Sequence, residues 1–574
     1  MPPRRGPCYA RAVPALSWIN LLVVLLALLL LTRPIGGYLE RVFAGLQTLL
    51  SPVLGPIERL VLRWCGVDPA SEMSWKGYAF GAIALGAAST AASYAIMRLQ
   101  QSLPINPQGF AGLAPDVAMN TAISFATTTD WQVYSGENAL GYFAQMAGIV
   151  PQMFVASAAG LALAIGFIRG LARSESPTLG NFWVDLVRAV LYVMLPISVI
   201  GALLFVWQGV PQNFHAYASV TSPEGFRQVV TGGPMASQTI IELLGGNGGG
   251  FVGANAASPN ENPTALCNFF QLLVMLLIPA ALTNTFGRMV GDVRQGWLIF
   301  AAMAALLVGG TYFAQTSESH GNPAITAPGI SGANWEGKEA RFGPSSAGLS
   351  VAVATDTGNG AANVTYDSLM PVADLVALAD MQSSEVIFGG VGSGLYGMLV
   401  YAIITVFIAG LMVGRTPEYL GKKIGRREVQ FAMLAVLAFA FAVLVPAAVA
   451  SVTKAGTSVL GNDGAHGFSE IIYAFTSTAA NNGSSMAGLG SNLFYNLTTS
   501  IVMLVGRFGV AIPTMALAGA LAAQPKNVRL SRGTFRTDTF MFGALLLGVV
   551  ILVGALTFLP ADLLGPIVEQ TTLR

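Results

Sequence analysis

The sequence predicts an all-α integral membrane protein of about ten transmembrane helices, forming four pseudo-fourfold repeats of span, pore helix, filter loop and span. Three observations carry this. Of 574 residues, 53% are apolar and 10% are charged, against about 25% charged in a typical soluble protein; mean hydropathy is +0.62. About ten apolar segments reach the ~20 residues that cross a bilayer. Between them recur four short runs rich in Gly, Asn, Thr and Ser: Ala126–Gln132, Gly245–Gly250, Thr355–Gly360 and Ala479–Ser484.

The spans are expected at roughly 16–33, 77–97, 139–168, 182–207, 266–286, 296–314, 388–413, 429–451, 493–523 and 538–559. Leu16–Leu31 also has the make-up of a signal-peptide core, but no small-residue cleavage site follows it, so an uncleaved first span fits better. Residues 42–65 place Glu58, Arg59 and Arg63 among leucines and read as an interfacial helix. Short helices precede the four runs at roughly 116–127, 235–244, 347–355 and 468–479. Gly348 is expected to interrupt the third. The segment about 315–385 is long and polar and is expected to cap the outer mouth.

The chain then divides into 1–65 (first span and interfacial helix), pore repeats at 66–170, 171–290, 291–420 (with the cap) and 421–525, and a last span at 526–574. Basic residues set the orientation. One set of connections carries Arg169, Arg173, Arg288, Arg294, Arg415, Lys422, Lys423, Arg426, Arg427, Lys526, Arg529, Arg532 and Arg536. The set holding the Gly/Asn/Thr runs carries few, which puts those runs outside. Arg4, Arg5 and Arg11 then fall outside too, against the rule, and the later loops outvote them.

The composition of the four runs suits a cation filter. Non-helical backbone at membrane depth strands its carbonyls, and this is tolerated where they line an ion-filled cavity. Such carbonyls replace a cation's hydration shell. Glycine at φ > 0 turns successive carbonyls to one axis, a role expected of Gly248, Gly358 and Gly483, with Asp130 as the odd member. The short helices aim negative dipole ends at the same place. Each run alone reads as a flexible loop, a turn or a helix end; recurrence at equivalent places favours the filter. Gly246–Gly250 is not a Walker A loop, because no Gly-Lys-Ser/Thr follows.

Arg507 lies inside an apolar span, where an arginine costs about 2.5–3.5 kcal/mol on insertion scales. It is expected to face a polar interior, as a gating charge below the filter or as a structural anchor. Glu242 and Glu470 are expected to tie the short helices to neighbouring backbone. Glu385 precedes the Gly-rich run Phe388–Gly394, which reads as close helix packing. Cys8, Cys65 and Cys267 show no zinc spacing, and His215, His320 and His466 sit too far apart to suggest a shared site. A net charge of +1 gives no reason to expect nucleic acid.

From about residue 17 onward the chain resembles the KdpA family, the potassium-binding subunit of Kdp potassium-transporting ATPases. Thr129–Glu137, Gly245–Phe251, Glu261–Thr264, Glu385–Gly397, Gly414–Lys423 and Ala480–Ser484 carry the resemblance. It implies a fold related to potassium channels and a bacterial inner-membrane complex. The implied partners are a P-type ATPase catalytic subunit, a single-span accessory subunit and a small peptide subunit. It implies a filter of Thr128, Thr129 and Asp130; Gly246, Asn247 and Gly248; Asp356, Thr357 and Gly358; and Asn481, Asn482 and Gly483, with Gln132 adjacent. Asp130 stands where the family often has Asn, and Asp356-Thr357 where Ser-Cys is common.

The function implied is a potassium-selecting subunit of an ATP-driven uptake pump, with K+ as bound substrate, no cofactor and no catalytic chemistry on this chain. A stand-alone channel or ion-coupled potassium transporter on the same architecture is the alternative. A membrane hydrolase is a weak third, since no nucleophile–base pair or HExxH motif is present.

Overall fold

In the computed structural model, residues 15–323, 332–414, 416–526 and 536–573 are described. Arg4, Arg5, Arg11, Arg415, Arg529 and Arg532, together with Cys8, lie outside them. Among the described residues, 10 helices are long and apolar enough to cross a membrane: Ser17–Phe43, Trp75–Ser102, Ala144–Ala172, Phe182–Gln208, Ala265–Met289, Val293–His320, Ser393–Met412, Arg426–Val452, Leu493–Ala522 and Phe540–Thr572. Side chains cap their starts. Ser74, Thr264, Asn492 and Thr539 each accept a hydrogen bond from the backbone three residues on, satisfying donors that the first helical turn leaves free.

Inner and outer spans alternate. The second span of each repeat is the more enclosed: 61% to 83% of the most apolar window is buried in Ala144–Ala172, Ala265–Met289, Ser393–Met412 and Leu493–Ala522. In the first spans of the repeats the figure is 22% to 39%. The outer helices turn leucine, valine and phenylalanine outward, as a lipid-facing surface requires. Ser17–Phe43 and Phe540–Thr572 flank the four repeats. The sequence placed the last span's end at 559; the helix continues through a π-helical turn at Leu563–Ile567 to Thr572.

The expected interfacial stretch forms a helix at Ser51–Trp64. It buries Leu62 and exposes Val53, Leu60 and Trp64. Its Glu58 accepts hydrogen bonds from Arg188 (2.8 Å) and Tyr192 (2.9 Å) on the fourth span.

Four short helices, Pro115–Ala126, Met235–Gly245, Pro344–Asp356 and Gly464–Ala480, lie between the spans of each repeat. Gly348 does not interrupt the third. A side chain there would stand 2.7 Å from the Gln315 backbone nitrogen, so this glycine lets the helix pack against Val293–His320. The segment expected as a cap is tied inward. The buried Lys338 pairs with the buried Glu318 at 2.8 Å, and Glu318 also accepts from the Met370 amide at 2.7 Å. The segment holds a further buried helix, Pro371–Gln382, that the sequence reading missed.

Candidate ion-binding site

Each short helix ends in the same way. The amides of Thr129, Asn247, Asn359 and Asn482 each donate to the carbonyl five residues back: Ser124 (3.0 Å), Glu242 (3.1 Å), Ala354 (3.0 Å) and Ser477 (2.9 Å). This is the closing bond of a Schellman motif, which requires a left-handed residue just before it. That residue is Thr128 (φ 65°), Gly246 (64°), Gly358 (66°) and Asn481 (62°). The repeated bond fixes the register between repeats. The stations are Thr128-Thr129-Asp130, Gly246-Asn247-Gly248, Gly358-Asn359-Gly360 and Asn481-Asn482-Gly483.

By this bond the third station begins at Gly358, two residues beyond the expected Asp356; in the other repeats it begins at the expected residue. Asp356 and Thr357 correspond to Ala126 and Thr127, at the end of the helix rather than in the station. The Asp356 side chain faces Asp380 on Pro371–Gln382, while the Asp356 carbonyl accepts from the Gly389 amide at 2.8 Å. The expectation of φ > 0 at Gly248 also fails: Gly246 takes the left-handed conformation in that repeat. Gly248 is needed for space instead, because a Cβ there would collide with the carbonyl oxygens of Asn482 and Thr129.

The stations meet. A Cβ on Gly483 would strike the Thr129 carbonyl oxygen, and one on Gly360 would lie 2.5 Å from the Gly248 oxygen. Side-chain amides stitch neighbours together. Asn481 Nδ2 donates to Thr129 Oγ1 (2.8 Å), Asn482 Nδ2 to the Ala354 carbonyl (3.2 Å), and Asn359 Nδ2 to the Glu242 carbonyl (3.3 Å). The fourth station thus touches the first and third, and the third touches the second, as in a ring.

Two cavities flank this ring. The third residue of every station, Asp130, Gly248, Gly360 and Gly483, lines a vestibule of about 310 Å³, together with Gln132, Tyr134 and Asn255. The first residue of every station, Thr128, Gly246, Gly358 and Asn481, lines a second cavity of about 50 Å³. Asp130 holds φ 54° and both its carboxylate oxygens lack a hydrogen-bond partner, leaving a polar group on the vestibule wall.

Arg507 lines the smaller cavity. A π-helical turn at Val505–Gly509 carries it inward. Its Nη1 donates to Thr128 Oγ1 (3.1 Å) and its Nη2 to the Ala156 carbonyl (2.7 Å). Glu385 lines the same cavity, and a Cβ on Gly358 would stand 2.5 Å from its Oε2. The sequence reading gave Glu385 only a packing context. Its signal was the acid immediately before a Gly-rich run, where Ser384, Glu385 and Phe388 all adopt φ > 0. Glu470 does tie its helix as expected, accepting from the Gly461 amide (3.0 Å) and Asn462 (2.7 Å). The Glu242 carboxylate lies against Gly250.

A profile of the KdpA family, described as Potassium-transporting ATPase A subunit, matches residues 22–571. The chain belongs to the KdpA family. A potassium-transporting ATPase potassium-binding subunit of Granulibacter bethesdensis is 51% identical over 559 residues, 97% of this chain and 98% of the relative. One from Methylobacterium nodulans is 51% identical over 555 residues, 96% of this chain and 97% of the relative. The crystal structure of the potassium transporter TrkH from Vibrio parahaemolyticus superposes with a TM-score of 0.50 at 16% identity, covering 84% of this chain and 96% of TrkH. That likeness concerns the fold.

Proposed function

We propose that this chain is the potassium-selecting pore subunit of an ATP-driven uptake pump. The observation that carries the reading is the ring itself: four helix ends closed by one backbone bond, with equivalent residues facing a cavity on either side. K+ enters from the vestibule, exchanges water for station carbonyls and reaches the cavity lined by Arg507 and Glu385. Carbonyls suit K+ because they supply partial charge without binding too tightly for release. The dipoles of the four short helices add about half an elementary charge each of negative potential at their C-terminal ends. The filter comprises Thr128, Thr129, Asp130, Gly246, Asn247, Gly248, Gly358, Asn359, Gly360, Asn481, Asn482 and Gly483.

ATP is hydrolysed by a P-type ATPase subunit to which this chain passes the ion, in a complex that also holds a single-span accessory subunit and a small peptide. The complex sits in the bacterial inner membrane with the vestibule facing outward, an orientation favoured by Arg169, Arg173, Arg288, Lys422 and Lys526 on the opposite side. The experiment is purification of this chain from its native membrane. An associated ATPase whose hydrolysis is stimulated by K+ is the expected result. Passive K+ flux through the isolated chain, with no ATPase attached, would instead make it a stand-alone channel.

A further inference from the structure

One ligand atom from each of Asp367, His466 and Glu470 lies within 4.8 Å of the other two. The three come from two elements: Asp367 from the turn Tyr366–Ser368, and His466 and Glu470 from successive turns of the fourth short helix. His466 Nε2 is 3.3 Å from Asp367 Oδ1, while its Nδ1 is 2.9 Å from Glu569 Oε1 at the end of the last span. The cluster borders the vestibule, since Tyr366 and Ala487 line that cavity and Asp367 and Gly488 follow them in sequence. Gly488 keeps the cluster open. A Cβ there would stand 2.5 Å from Glu470 Oε1 and 2.9 Å from Asp367 Oδ1.

A second observation is an unpartnered polar group beside the cluster. Asp374 is 3% exposed, and neither of its carboxylate oxygens has a hydrogen-bond partner. The charges that act on it are Glu569, His466, Asp562 and Asp367. Among the described residues, His466 is the one cationic side chain hydrogen-bonded to any of Asp367, Asp374, Glu470, Asp562 and Glu569. Asp374 is thus a buried carboxyl beside the cluster with no hydrogen-bond donor of its own, and burying such a group unpaired is costly.

We infer that Asp367, His466 and Glu470 form a divalent transition-metal site, suited to Zn2+, that ties the Tyr366–Ser368 turn to the fourth short helix beside the vestibule. Imidazole with carboxylates favours Zn2+ over Mg2+ and Ca2+, which take all-oxygen shells. Ligands about 2.0–2.2 Å from a tetrahedral zinc lie roughly 3.3–3.6 Å apart, close to the His466–Asp367 separation. Glu569 on the opposite ring nitrogen orients the imidazole, as carboxylates behind metal-bound histidines do. Binding releases the imidazolium proton to solvent, and the metal takes over its ion pairs.

The test uses the untagged full complex, stripped with chelator, in calorimetric titrations with ZnCl2, MgCl2 and CaCl2 and in thermal unfolding. One saturable Zn2+ event that raises the melting temperature, is absent for Mg2+ and Ca2+, and weakens at least ~10-fold in His466→Gln and in Glu470→Gln is the expected result. No saturable Zn2+ binding, or unchanged binding in both variants, overturns the site. If the variants do not assemble, zinc X-ray absorption on the wild type decides. An N/O shell containing imidazole supports the site, and sulfur ligation, as at the exposed Cys65, overturns it.

Discussion

Arg507 donates to Thr128 across 3.1 Å, so the buried guanidinium touches the first station itself. Its second bond, to the Ala156 carbonyl at 2.7 Å, anchors the same group to the inner span of the first repeat. One side chain therefore fixes the position of a station and places a positive charge on the cavity beneath it. On the proposed ion path, a cation leaving the ring would meet that charge at low dielectric, where repulsion is strong.

Arg507→Gln removes the charge and keeps some polarity. A hydrogen bond to a charged group contributes about 1.5–3 kcal/mol, so a lower melting temperature is expected in any case. The prediction specific to the ion path is a severalfold fall in K+ moved per ATP, with discrimination against Na+ little changed. ATPase rate, transport rate and melting temperature on one preparation separate the two effects. Full coupling in a less stable complex would leave Arg507 as an anchor alone.

Gly483→Ala and Gly248→Ala place a methyl group against station carbonyls. Gly483 also holds φ 92°, where a side chain costs about 1–2 kcal/mol. Both variants are predicted to lose K+ affinity by at least about tenfold, since a loss of ~1.4 kcal/mol in binding is already a factor of ten. Gly554→Ala, where a Cβ meets nothing within 4 Å, is the control. Rubidium uptake kinetics for the three variants provide the check, and equal affinities would remove these glycines from the filter.

The register of the third station is tested by contrast. Gly360→Ala crowds the Gly248 carbonyl at 2.5 Å and is predicted to impair selection, whereas Asp356→Asn is predicted to leave K+/Na+ discrimination intact. The opposite pattern in competition uptake assays would restore Asp356 to the filter.

Much of this architecture is legible from the sequence because it rests on long apolar runs and on helices that end in small residues. The four short helices lie within four residues of their expected bounds at every end. The position of the repeated bond in the third repeat is not legible, because Thr355-Asp356-Thr357 mimics Thr127-Thr128-Thr129 in composition. Only the bond from the Asn359 amide to Ala354 distinguishes a helix end from a station. Gly248 was misjudged for a related reason: sequence reveals a glycine, but not whether conformation or crowding demands it. Pro371–Gln382 was missed because its polar residues face other buried groups, as Asp380 faces Thr355 at 3.1 Å and Gln382 faces Asp562 at 2.9 Å. The setting of Glu385 is not legible because the Gly358 backbone it lies against is distant in the sequence.

On the other side of the protein, Arg173 grips Glu72 with both terminal nitrogens, at 2.7 and 2.8 Å, and Thr178 adds a hydrogen bond. The Arg173 bonds hold the Glu72 carboxyl down to about 2, below the usual carboxylate range. A depressed value means the stabilisation is complete above about pH 4.5 and is lost as pH falls toward 2. Glu72 is 43% exposed, so salt weakens the effect. Between pH 5.5 and 3.5 the wild-type melting temperature should fall more than that of Glu72→Gln. Equal slopes in low salt would contradict this.

The central claim is that the four stations share one K+ site. Anomalous diffraction from crystals grown with Rb+ in place of K+ tests it most directly, because rubidium marks the ion by its own scattering. The predicted result is a peak on the axis between the vestibule and the cavity of Arg507, ringed by the carbonyls of Thr129, Asn247, Asn359 and Asn482. A ring empty of rubidium at saturating concentration, with the ion bound elsewhere in the chain, would contradict the account.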